Sequence, residues 1–142
     1  MATIPETEFP LILRTDFSNN DLVNMLYEEA LKGNQEDEYT PYVEVLNDQS
    51  FEGFTPQDLL KLIPKDYAHN FMFILDSLTI QHPEHPFICL SLSEFTFGET
   101  LRFIPKELYI LESNLFTANM LFEEFIDKTD IDGIFRATGW YS

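Results

Sequence analysis

This sequence is short of several things, and each shortage narrows its reading. Of 142 residues, one is cysteine and 8 are Lys or Arg, against 25 Asp and Glu, for a formal net charge of -17. A lone cysteine forms no internal disulfide, which suits a reducing compartment and makes the cytoplasm the expected location. Cys89 lies in the apolar run Phe87 to Leu92, where an inert buried thiol is expected rather than a nucleophile. So little positive charge argues against nucleic acid or an anionic membrane surface as partner, because the domain repels phosphates. A basic protein is favoured instead. The longest apolar runs are about five residues, far short of the roughly 20 that span a bilayer. The opening MATIPETEFP has neither the basic start nor the apolar core of a signal peptide, and none is expected. No glycine-rich phosphate loop and no G-x-S-x-G nucleophile elbow is present.

What is present is apolar. Hydrophobic residues make up 44% of the chain and 14 residues are Phe, enough to offset the chain entropy of one folded domain. The stretch Phe71 to Asp76, FMFILD, reads as a strand buried on both faces at the centre of a sheet. Phe9 to Arg14 and Tyr42 to Leu46 repeat its design, an apolar strand running into polar groups. Ser18 with Asp21 reads as a capping box for a helix reaching about Lys32, stopped by Gly33. Thr55, Pro56 and Asp58 start a second, short helix that ends near Ile63 before Pro64. This alternation of strand and helix predicts a parallel first half. Pro86 to Ser91 and Thr100 to Ile104 are joined too closely for a crossover helix and predict an antiparallel second half. Thr117 is expected to cap a last helix through about Lys128, followed by a tail with Gly133, Gly139 and the only tryptophan, Trp140. The expectation is a single α/β domain with a mixed sheet of about five strands and helices packed on it.

Several stretches resemble a known family of bacterial proteins, a domain of unknown function. They are LILRTDFSNND, FEGFTPQDLL, FILDSLTIQHPEHP, RFIPKEL and, most specifically, the closing SNLFTANMLFEEFIDKTDIDGIFR. Together they cover most of Leu11 to Arg136. The chain departs from the family's pattern where a tryptophan is common, carrying Leu26 or Tyr27 and Tyr109 instead, and the segment from Gln35 to Tyr39 is more acidic. The resemblance implies one intact domain and brings no activity with it.

Ligands bind beyond the carboxyl ends of strands in an open parallel sheet, so Arg14, Asp16, Asp48, Asp76 and Ser77 form a candidate ligand rim. Carboxylates there could hold Mg²⁺ through oxygen; equally, Asp16 and Asp48 are turn formers and Arg14 pairs with Asp76. His82, Glu84 and His85 in QHPEHP suit a solvated turn better than a metal site, because Pro83 and Pro86 prevent a regular helix. Asn114, Asn119 and Arg136 could form a polar site or satisfy backbone groups at a helix entry. No catalytic residue, metal or cofactor is expected. Two acidic groups remain: Glu28, Glu29, Glu36, Asp37 and Glu38 beside Tyr39, and Glu123, Glu124, Asp127, Asp130 and Asp132. Such groups are ordinarily solvated faces, and at this density they also suit steering onto a basic protein. The expected function is a non-enzymatic bacterial immunity or inhibitor protein that occludes a basic partner such as a secreted toxin. The alternative is a small metal-dependent enzyme or ligand-binding domain using the rim.

Overall fold

In the computed structural model, which describes residues 2–36 and 38–137, the apolar runs become strands and the capped stretches become helices. In chain order they are β1 (Leu11–Arg14), α1 (Asn20–Leu31), β2 (Glu44–Leu46), α2 (Pro56–Leu60), β3 (Phe71–Leu75) and α3 (Ser77–Gln81). The second half follows with β4 (Phe87–Ser91), β5 (Thr100–Phe103), α4 (Leu108–Phe116), α5 (Phe122–Asp127) and β6 (Ile134–Phe135). The strands form one six-stranded sheet in the order β2-β1-β3-β4-β5-β6. β1 pairs in parallel with both β2 and β3, whereas β4 runs antiparallel to β3 and to β5. Because β6 lies parallel to β5, β4 alone is reversed, and every other strand ends on the same side of the molecule. The mixed α/β domain read from the sequence is therefore present, with β6 added at one edge. β6 is two residues long, too short for any periodic pattern.

β3 is buried on both faces, as its unbroken apolar run predicts. Its side chains alternate between two cores. Phe71, Phe73 and Leu75 pack with α1, α4 and α5 through Val23, Leu111 and Phe125; Met72 and Ile74 pack on the other face with Phe51 and Leu59. Each fully buried Phe contributes on the order of 2–3 kcal/mol relative to exposure. Phe73 and Phe103 meet edge to face at 5.2 Å between ring centroids, joining β3 to β5 across β4.

Local chemistry explains the helix ends, including three that depart from expectation. Thr55 caps α2 and Pro56 opens it, as expected, and the structure adds a reciprocal capping box between Thr55 and Asp58. α1, however, is capped by Asn19, whose side chain accepts from the Leu22 amide, while Ser18 bonds back to Asp16. Two adjacent side chains can cap, and the one whose reach fits the first turn prevails. Thr117 does not cap the last helix either; it ends α4, and its hydroxyl donates to the Ser113 carbonyl. α5 starts instead at Leu121, whose amide donates to Glu124. α3, hidden in sequence by its five-residue length, is capped by Asp76. Gly33 is required where it stands. A side chain there would lie 2.0 Å from the Tyr39 carbonyl oxygen, and φ is +66°.

Candidate functional site

A cleft of about 310 Å³ opens beyond β1 and β3, lined by residues including Thr15, Asp16, Thr55, Asp76 and Ser77; of the expected rim, Asp16, Asp76 and Ser77 line it, and Arg14 and Asp48 do not. Its chemistry is set by what holds each carboxylate. Asp16 accepts from both the amide and the hydroxyl of Ser18. Asp48 does the same for Ser50, and those hydrogen bonds hold its carboxyl below the usual range. Asp76 receives a bidentate pair from the Arg102 guanidinium, at 3.0 and 2.8 Å. Burial alone would raise its carboxyl, but Arg102 and the Thr79 donors outweigh burial and hold it below its ordinary value.

The pairing of Arg14 with Asp76 read from the sequence is therefore replaced. Arg14 donates to the Asp16 carbonyl and to Asn20 Oδ1 and lies 4.5 Å over the Phe17 ring, whereas Asp76 takes Arg102. The reason is the sheet order. Arg102 on β5 sits opposite Ile88 on β4 and crosses that strand to the end of β3, a neighbour that sequence spacing does not reveal. Among the described residues no cluster of three or more His, Cys, Asp or Glu is arranged to hold a metal ion. His82 accepts from the Glu84 amide and His85 Nδ1 lies 2.9 Å from the Thr79 carbonyl, so both serve the turn after α3.

The set of Asn114, Asn119 and Arg136 divides. Asn114 donates to the Ile110 carbonyl and accepts from Asn119, fastening the corner between α4 and α5. Arg136 instead gathers acids, with Glu84 at 2.6 Å, Asp130 at 2.7 Å and Asp132 at 2.9 Å. Its side chain is only 18% exposed, and its one positive charge offsets one of these three negatives. Within the second acidic face, Asp130 and Asp132 are thus tied to Arg136, while Glu124 caps α5 and Glu123 and Asp127 project into solvent.

The first acidic face is arranged differently. Asn34 and Tyr39 pair across a short loop that carries Glu36 and Glu38 outward, both exposed. Glu38 holds a left-handed backbone, φ 54°. Asp37 lies outside the described residues, as does the tail containing Gly139 and Trp140. Tyr39 does not project; its hydroxyl donates to the buried Glu112 carboxylate, which also accepts the Tyr42 amide at 3.1 Å. Burial pushes the Glu112 carboxyl up despite these two donors. On α1, Glu28 is exposed and Glu29 lies 3.4 Å from Lys32. Exposed carboxylates at Glu36 and Glu38 therefore stand on a loop that Tyr39 ties to Glu112, with Glu28 on α1, a feature that charge counting finds but whose anchoring it misses.

Cys89 is fully buried, and burial raises its thiol far above the ordinary value, which makes it unreactive. No described helix is long and apolar enough to cross a membrane. No curated protein matches the chain. Residues 9–138 match the family described as Domain of unknown function (DUF6924), and the chain belongs to that family.

Proposed function

We propose that this member of a family without an assigned activity is a non-enzymatic binding protein, most concretely a bacterial immunity or inhibitor protein that neutralises a basic partner such as a secreted toxin. The observation that carries the reading is the division among its acids. The rim carboxylates are held by caps and Arg102, whereas Glu28, Glu36, Glu38, Glu123 and Asp127 stand exposed on a chain of net charge -17. Inhibition follows from occlusion: the outer carboxylates meet Lys and Arg around the partner's active site, and the charge speeds encounter and fixes orientation. The chain acts in the cytoplasm, and its partner is a protein rather than nucleic acid or membrane.

Capture on the tagged full chain from its native host, at low and high salt, followed by assay of the captured protein, tests this reading. One basic protein held at stoichiometric ratio, and inhibited when bound, is expected. A captured protein whose activity is untouched by the chain contradicts it.

The cleft of about 310 Å³ supports a second reading, a ligand-binding domain or small enzyme at the strand-end rim; of the expected Arg14, Asp16, Asp48 and Asp76, the residues that line it are Asp16 and Asp76. A ligand bound only by the folded state raises the melting midpoint. Millimolar Mg²⁺, Mn²⁺ or Ca²⁺ raises it if the rim takes a metal, and no shift with any of the three removes that version.

A further inference from the structure

At the end of the sheet opposite the rim, the surface changes from polar to apolar. A cleft of about 120 Å³ opens between the start of β3 and the corner joining α4 to α5, lined among others by Phe71, Phe95, Leu115, Leu121, Phe122 and Glu123. Its two lips are unusual for an exposed surface, since Phe95 is 88% exposed and Leu121 52%. Large apolar side chains set together around a cleft mark an interaction surface far more often than scattered ones do.

Both lips are held in place. Thr96, the neighbour of Phe95, is buried and its hydroxyl lies 2.6 Å from that of Ser91, while the Gly98 amide donates to the Ser91 carbonyl at 2.9 Å. With Thr96 fastened inward, Phe95 is turned out. At Leu121 the backbone is fixed by the hydrogen bond that its amide donates to Glu124 at the start of α5. Backbone held this way loses little further freedom when a partner docks.

The cleft holds about four waters at roughly 30 Å³ each, room for a single apolar side chain. Its surroundings choose the bearer of that side chain. Glu123 lines the cleft, and Glu94 and Glu124, each adjacent in sequence to a lining residue, are exposed. A second copy of the chain would bring -17 against -17, and an anionic membrane is repelled for the same reason.

We infer that this cleft anchors one apolar side chain, flanked by Lys or Arg, of a cationic protein partner. The inference rests on the binding reading above and gives it a location: the anchor enters between Phe95 and Leu121 while its basic neighbours meet Glu94 and Glu123. A side chain seated in a pocket and ringed by contacts that exclude water is the usual arrangement of an interface hot spot, and charges on the rim add steering and orientation.

The test uses the ¹⁵N-labelled full chain and two Lys-rich peptides of equal charge, one with a central leucine and one with serine in its place. The leucine peptide is expected to bind about tenfold more tightly and to shift the amides of Phe95, Leu121 and Glu123. Phe95→Ser and Leu121→Ser, both at exposed positions, should remove that preference while leaving the melting midpoint within a degree or two. Equal affinity of the two peptides, or a preference that survives both substitutions, overturns the anchor cleft and leaves the electrostatic reading standing. Failure of both peptides to bind overturns both.

Discussion

The acids at the strand ends and the acids on the outer faces are the same functional group put to opposite uses. At the rim, Asp16, Asp48 and Asp76 each accept two or more hydrogen bonds, and Asp76 also carries the ion pair with Arg102. On the first outer face, Glu36 and Glu38 stand exposed on a loop closed by the pairing of Asn34 with Tyr39. A carboxylate that satisfies amides at a turn or helix start contributes to folding and keeps its charge, but its oxygens are already engaged; of the three, only Asp76 is also offset by a cation, Arg102. One that projects into solvent contributes little to folding and keeps both its charge and its free oxygens. The lesson is that net charge counts fields and not free acceptors, and the hydrogen bonds decide which carboxylates are open to direct pairing with a partner.

Substitutions that cross this division sharpen it. The largest effect is expected from Asp76→Ala, which removes the α3 cap and strands the partly buried Arg102; a loss of about 2–4 kcal/mol in urea denaturation is predicted. Because the folded carboxyl of Asp76 lies below its unfolded value, its contribution is present above the ordinary carboxylate range and is lost as pH falls through the folded value. Asp76→Asn should therefore reduce the acid sensitivity of unfolding, and an unchanged profile would contradict the assignment.

The next effect has the opposite sign. Glu107 is 5% exposed, and one of its carboxylate oxygens has no hydrogen-bond partner. Burial raises this carboxyl, against the charge of Lys106 and the Ala137 amide, so its stabilising share is present below the ordinary carboxylate value and lost as pH rises through the folded one. Glu107→Gln should stabilise the chain at pH 7 by about 1–2 kcal/mol, with the gain vanishing near pH 4. Tyr39→Phe takes one of two donors from buried Glu112 and should cost about 1 kcal/mol, while loosening the loop in hydrogen exchange. The smallest change is expected from Glu36→Lys with Glu38→Lys, whose effect on the unfolding midpoint should be slight. A large loss there would make those acids structural and erase the division.

Much of the fold was legible because its signals are local. FMFILD is an unbroken apolar run and became the doubly buried β3; Thr55, Pro56 and Asp58 are a complete capping motif and opened α2. What escaped depended on competition or distance. Ser18 and Asn19 are both able to cap, and only the geometry of the first turn selects Asn19. β6 needs β5 beside it to exist at all. The composition of the rim was readable from polar residues after apolar runs, but its pairing was not, because Arg102 reaches Asp76 across β4. In the same way, Tyr27 is held by a hydrogen bond from its hydroxyl to Asn47, 20 residues on, at 2.6 Å. The exposed Phe95 could be counted in the sequence, but only the inward fastening of Thr96 reveals it as the lip of a cleft.

The claim that the outer carboxylates recognise a cationic partner is tested most directly by association kinetics. The rate at which the captured partner binds would be measured against ionic strength for the native chain and for the triple variant Glu28→Lys, Glu36→Lys, Glu38→Lys. A rate at least tenfold lower at low salt, with a flatter salt dependence, is predicted for the variant. The same rate and the same slope for both chains would contradict it.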